Sequence, residues 1–232
     1  MTTQLSLPVQ LPDEETFSTF ISGDNSILLA HLNQLLQTTS CYSITYVNAE
    51  SGAGKSHLMY ALCAAADESG QWASYINLQD SSQWQPEMLQ GLEACQIVCL
   101  DNVEALLGRV DWQVALFDLI NRVIESGTGH LVFSANVGAS VIELELPDLK
   151  SRLVWGTSFK LHGLDDQQCI DMLRQRASLR GMHLSEEVGQ YLLNRSQRDT
   201  HSLIEVLNKL DKVSLQQQRR LTIPFVKQAL SL

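Results

Sequence analysis

The sequence predicts an α/β fold, a parallel βαβ sheet domain followed by a small C-terminal all-helical lid, and three observations carry that expectation. Short apolar runs alternate with segments of helical period from about residue 24 to residue 161. A Gly-rich loop followed by Lys and Ser, Tyr46-Val47-Asn48-Ala49-Glu50-Ser51-Gly52-Ala53-Gly54-Lys55-Ser56-His57, stands between one apolar run and one helical segment. Beyond His162 the strand period disappears and only helical segments follow.

The elements can be justified in chain order. Residues 1–15 are polar and punctuated by Pro8 and Pro12, which reads as an extended tail. A helix over 24–36 precedes a buried strand over 43–47, and a helix runs from Ser56 to Gly70. Strands follow at 73–77, 96–100 and 130–134, with a helix near 86–92 and another over 111–126. A short strand over 157–161 closes the sheet domain. Helices at 165–180, 185–195, 200–217 and 223–230 form the lid. The boundaries are therefore a tail over 1–15, a nucleotide-binding α/β domain over 16–161 and a helical lid over 162–232. Strands separated by helices imply crossover connections, with ligands at the carboxyl ends of the strands.

The loop pattern is G-x-x-x-x-G-K-[ST] with Ala49 in place of the first glycine, which should tighten or strain the loop without removing a ligand. Gly52, Ala53 and Gly54 let backbone N–H groups turn onto phosphate oxygens, Lys55 reaches the β- and γ-phosphates, and the Ser56 hydroxyl is a ligand for Mg²⁺. The helix that starts at Ser56-His57 puts its positive dipole end under the same anion.

Composition narrows the classes. The chain has 232 residues with 26 acidic against 16 basic, a net charge of −10, which argues against a protein that coats DNA through its own field. No run approaches the roughly 18 apolar residues of a membrane span. The N-terminus lacks the basic and apolar regions of a secretory signal, so a cytoplasmic location is expected. The five cysteines show no CxxC pairing and read as buried reduced thiols.

Further residues carry chemistry. Ile97-Val98-Cys99-Leu100 ends in Asp101, placed to hold the Mg²⁺ shell through water. Asn102 follows where hydrolytic P-loop ATPases usually place a carboxylate; an amide positions water but accepts no proton, so intrinsic hydrolysis should be slow. Asn136, after the strand at 130–134, can bond the attacking water or the γ-phosphate. In Asp148-Leu149-Lys150-Ser151-Arg152-Leu153-Val154-Trp155-Gly156 the apolar residues and Trp155 should anchor the segment and leave Arg152 projecting, as an arginine finger for another molecule's site.

These motifs together resemble the AAA+ family of P-loop NTPases and, within it, the nucleotide-binding region of the bacterial initiator DnaA. The resemblance runs from Thr16-Phe17 and Phe20 through the Gly-rich loop and Asp101-Asn102 to Leu149-Lys150-Ser151-Arg152 with Trp155-Gly156. It implies that Phe17, Phe20, His57 and His201 join the nucleotide pocket, with His201 where the family's second sensor carries arginine. A mostly neutral imidazole substitutes poorly for that guanidinium, so an ADP-bound working state is expected, although ATP or a related nucleotide fits the same cradle. Neither DnaA's basic helix-turn-helix region nor its oligomerisation domain is read in these 232 residues, and a protein without them is expected. The chain is therefore similar to the DnaA-related AAA+ proteins of regulatory inactivation of DnaA.

Gln4-Leu5-Ser6-Leu7-Pro8-Val9 is similar to the hexapeptide by which such proteins grip the β sliding clamp of DNA polymerase. An extended segment with φ fixed at Pro8 loses little entropy on binding, while Leu5 and Leu7 offer apolar anchors. The resemblance thus implies a negative regulator of replication initiation that contacts DNA mainly through the clamp, stimulates ATP hydrolysis by DnaA, needs no membrane and can form a homo-oligomer. The alternatives are a DnaA-like adaptor or helicase-loader ATPase, or a P-loop small-molecule kinase.

Overall fold

A computed structural model describes residues 14–195, 199–217 and 220–230. The proposed clamp-binding hexapeptide, residues 4–9, lies outside the described residues. Helix α1 (Ser26–Leu35) precedes β1 (Tyr42–Asn48), α2 (Lys55–Glu68), β2 (Ala73–Asn77) and β3 (Ile97–Asp101). Then come α3 (Val110–Ser126), β4 (Gly129–Ala135), α4 (Pro147–Trp155) and β5 (Thr157–Lys160). Helices α5 (Asp166–Leu179), α6 (Glu186–Leu193), α7 (Thr200–Gln217) and α8 (Ile223–Leu230) complete the chain.

The five strands are all parallel, in the order β2-β3-β4-β1-β5. β3 and β4 are buried at every position, as central strands covered on both faces must be. The alternation of side chains divides the core into two layers. Ile44 and Tyr46 of β1 face a cluster with Leu116, Leu119 and Ile120 of α3 and Leu149 and Leu153 of α4. Val47 faces the other layer, with Leu28 and Leu32 of α1 and Leu58 and Leu62 of α2. So α4 lies on the opposite face of the sheet from α2. β5 is an edge strand beside β1.

Helices α5 to α8 pack around a third cluster that includes Leu173, Leu192, Leu207 and Phe225. Here the local signals are strong: Asp165 and Gln168 form a reciprocal capping box at the start of α5, and Ser185 accepts from the Val188 N–H at the start of α6. Ile21, from the segment before α1, packs on this same cluster.

Three expectations need correction. No α-helix covers 86–92. Two 3₁₀ turns, Pro86–Leu89 and Leu92–Ala94, are separated by Gln90 in an extended conformation and a turn at Gly91, so the intrahelical bonds cannot continue. The segment around Arg152 is a helix, α4, started by Pro147 in its first turn, where a missing N–H costs nothing. Its anchors are the fully buried Leu149 and Leu153, whereas Trp155 is 71% exposed and does not anchor it. Of the cysteines, Cys63, Cys99 and Cys169 are buried, but Cys41 is exposed and Cys95 half-buried; all are free thiols. Among the described residues no helix is long and apolar enough to cross a membrane, and no group of His, Cys, Asp and Glu has the arrangement of a metal cluster.

Candidate functional site: a phosphate cradle roofed by the lid

The loop between β1 and α2 forms the floor of a cavity of about 400 Å³, lined by Ser51–His57 and by Asn77, Gln79, Asn102 and Asn136 at the carboxyl ends of the strands. Its other walls are Glu15, Thr19, Phe20 and Ile21 from the segment before α1 and Leu164, Met172, Thr200, His201 and Ile204 from the lid. This volume lies in the range of small-molecule pockets. The chain turns into α2 at Gly54, φ +100, a conformation open to glycine and strained for other residues. A Cβ there would also meet the Phe20 ring at 3.2 Å. Ala49 is fully inside the core and is not among the positive-φ residues, so alanine at that position introduces no backbone strain, contrary to the sequence expectation.

Lys55 is buried and donates to the carbonyl oxygens of Ala49 (3.0 Å) and Glu50 (3.1 Å) and to Asn136 Oδ1 (2.8 Å). Burial lowers its pKa, while the nearby carboxylates of Glu104 and Asp101 oppose the shift. A cation held by neutral acceptors at the mouth of a helix N-terminus is a ready partner for phosphate oxygens. The Ser56 hydroxyl donates to Asp101 Oδ2 at 2.5 Å. Asp101 is fully buried; Tyr75 donates to the same oxygen (2.8 Å) and Ser134 to Oδ1. With its proton committed to Asp101, Ser56 Oγ presents lone pairs outward, a hard oxygen donor suited to Mg²⁺. Such an ion would neutralise charge on the phosphates. The Asp101 carboxylate, closed in by three hydroxyls, orients Ser56.

Asn102 is the one non-glycine residue with positive φ among those described (φ 62). Asn tolerates this left-handed conformation better than most residues. Its N–H donates to Ser134 Oγ (3.1 Å) and its Nδ2 to Asn77 Oδ1 (2.9 Å), so the amide is tethered at the cavity wall. The Asn136 N–H donates to Glu104 Oε1 (3.1 Å). Glu104, two residues beyond Asn102, was missed by sequence reasoning. It lies in the 3₁₀ turn after β3, and its Oε2 is buried without a hydrogen-bond partner among the described residues.

The structure brings together Gly52 to His57, Phe20, Asn102, Asn136 and His201 around one cavity. Phe17 does not line it; it packs against the α1–α2 core layer. His57 lines the cavity with a ring tied elsewhere: Nε2 donates to the Thr16 carbonyl (2.9 Å) and lies 3.3 Å from Thr19 Oγ1, while Nδ1 accepts from Arg176 of α5 (3.2 Å). Burial, followed by the Arg176 charge, brings its pKa down to about 4 even though the Thr16 bond opposes this. Arg176, 3% exposed, continues to Glu14 (3.2 Å), which also takes a two-pronged bond from Arg180 (2.9 and 2.8 Å). A second lid contact runs from Thr200 Oγ1 to the Gly52 carbonyl. The His201 side chain is 78% exposed and pairs with Glu205 at 3.5 Å.

Arg152 is absent from the cavity wall. Its guanidinium lies 4.8 Å from the Trp155 ring centroid, a cation–π contact on an exposed aromatic two residues before β5.

A parallel sheet in the order 2-3-4-1-5, a Gly-Lys-Ser cradle and a helical domain over the ligand cavity define an AAA+ P-loop fold. Comparison with solved structures agrees. Domain III of the Thermotoga maritima replication initiation protein DnaA superposes with a TM-score of 0.80 at 19% identity, covering 95% of this chain and 97% of that one. AMPPCP-bound DnaA from Aquifex aeolicus gives 0.72 at 20% identity over 88% of this chain and 67% of that one. The Thermotoga maritima RuvB Holliday junction branch migration motor gives 0.68 at 14% identity over 95% and 72%. Residues 165–230 match the family model described as Hda, lid domain. Over residues 165–230 the chain is thus similar to the Hda lid domain, and over most of its length it shares the fold of DnaA domain III.

Proposed function

We propose that the protein is a negative regulator of DNA replication initiation. Held by residues 4–9 on a DNA-loaded sliding clamp and with ADP in its own cavity, it stimulates ATP hydrolysis by DnaA, and it works in the cytoplasm. The observation that carries this reading is the placement of Arg152. It stands outside its own cavity, on the sheet face opposite α2, with its guanidinium laid on exposed Trp155. A planar forked cation in that position suits the phosphoryl oxygens of a neighbouring molecule's nucleotide.

The cavity's own chemistry supports a regulatory use of nucleotide. Lys55 secures phosphate, and Ser56 would hold Mg²⁺. Asn102 is tethered to Asn77 and supplies no proton acceptor, and His201 turns to Glu205. Bound ADP joins the lid to the sheet domain and fixes the pose in which Arg152 is presented. The Hda-type lid supports the same reading. A homo-oligomer fits the same chemistry, since neighbouring AAA+ modules would present Arg152 to one another in the same way.

Recruitment is tested by replacing Leu7 and Pro8 with Ala and measuring clamp binding. Loss of clamp affinity with unchanged ADP binding is expected, because the groups proposed to hold the nucleotide are those of the Gly52–Ser56 cradle and not residues 4–9. Undiminished clamp affinity would contradict the assignment of residues 4–9.

A further inference from the structure

At the phosphate end of the cavity Lys55 and Ser56 have their partners, whereas a carboxylate on the wall at the other end lacks one. Away from Lys55 the wall is apolar: Phe20, Ile21, Leu164, Met172 and Ile204. A nucleotide whose phosphates occupy the cradle puts its base there. Among the polar side chains on this side of the cavity are Thr19 and Glu15 from the segment before α1. The Thr19 hydroxyl is engaged, accepting from the Thr16 N–H (3.0 Å) and donating to the Glu14 carbonyl (2.6 Å). Glu15 differs: its Oε2 is buried and has no hydrogen-bond partner among the described residues. A buried carboxylate oxygen left without a donor is costly, and a ligand that offers an N–H there would relieve that cost.

We infer that Glu15 selects the base of the nucleotide, its carboxylate accepting a hydrogen bond from the exocyclic amine of adenine or cytosine. A carboxylate only accepts when ionised. The amine at adenine C6 or cytosine C4 offers the N–H it lacks, while the carbonyl at the same position of hypoxanthine or uracil sets oxygen against oxygen. Selection of this kind is strong because the wrong base leaves a buried group unpaired. Burial raises the Glu15 pKa against the opposing pull of Arg176, as expected of an acceptor short of donors. Glu15 also directly follows Glu14, which Arg176 and Arg180 bind, so its backbone is fixed by the lid.

This inference rests on the cavity being a nucleotide site, and the experiment separates the two. Isothermal titration of the full chain with ADP, IDP, CDP and UDP changes only amine to carbonyl within each pair. The wild type should bind ADP over IDP, or CDP over UDP, by about tenfold or more, and the pair that discriminates identifies the base. Glu15→Gln keeps the shape and adds a donor. It should bring the discriminating ratio to within about threefold, chiefly by improving binding of the carbonyl base. Lys55→Ala should abolish binding of all four. A wild-type ratio near one in both pairs, or a ratio unchanged in Glu15→Gln, would overturn the role of Glu15 while leaving the cavity's assignment intact. Absence of binding in the wild type, or binding that survives Lys55→Ala, would overturn the cavity's assignment and the inference with it.

Discussion

His57 shows how a single side chain couples the parts of this molecule. Its half-buried ring receives from Arg176 and gives to Thr16, an arrangement that requires the neutral form. The unfolded ring titrates near 6.5 and the folded one near 4, so the unfolded chain binds the extra proton between these values. The resulting stability is complete above about pH 6.5 and is lost as pH falls towards 4, at up to about 1.4 kcal/mol per pKa unit of depression. His31, also depressed by burial, contributes with the same sign. Glu14, whose pKa is lowered from 4.5, acts in a more acidic window. Urea denaturation at intervals from pH 7 to pH 4.5 should therefore show a shallower decline for His57→Gln than for the wild type. Parallel curves would mean that His57 protonates freely in the folded state. The cradle itself was legible residue by residue, because Gly54, Lys55 and Ser56 act through local spacing. His57 was placed at the site by the family resemblance, but its partners lie 41 and 119 positions away, and no local pattern announces Arg176.

At the scale of elements, α4 and β5 carry the account, since together they set where Arg152 stands. The junction between them is Gly156, where an added Cβ would fall 2.7 Å from Ile44 Cγ2 and 2.8 Å from the Ile44 carbonyl oxygen. The second of these is backbone and cannot yield by a rotamer change. Gly156→Ala should destabilise the protein by about 1–3 kcal/mol, the usual cost of overpacking, and push α4 off the sheet. Thermal melting with and without ADP would measure it; a melting temperature equal to that of the wild type would show that the junction has room. The strands were legible as apolar runs, and the lid helices from their period and caps. Two failures have physical causes. The 86–92 segment has apolar residues at helical spacing but bends at Gly91, and α4 is only nine residues long, its two anchors four apart and its Trp155 exposed.

The sheet domain and the lid carry separate cores, and both contribute to the wall of the cavity above the cradle. Sheet residues, the segment before α1 and the lid all contribute to its wall, so a ligand there ties the parts together. A ligand bound only by the folded protein stabilises it by roughly 2.7 kcal/mol at a hundred times its dissociation constant. ADP should accordingly raise the melting temperature of the wild type and leave that of Lys55→Ala unmoved; equal shifts would place the phosphate elsewhere. The lid's share of this cavity, Leu164, Met172, Thr200 and Ile204, was not legible, because a chain shows no sign of which residues of a distant helical domain fold back over its loop. Glu15 was hidden for the same reason, lying in what reads as the end of a polar tail.

The central claim is that Arg152 acts on a nucleotide held by another molecule. Its most direct test is the rate of ATP hydrolysis by DnaA in a mixture with this protein, ADP, DNA and loaded clamp, with Arg152→Ala and Arg152→Lys in parallel. An ammonium cannot reproduce the forked donors of a guanidinium. Both variants should therefore keep ADP and clamp binding yet lose the stimulation, which for arginine fingers amounts to about 10³–10⁵ in rate. Stimulation by Arg152→Ala equal to that of the wild type would contradict the claim.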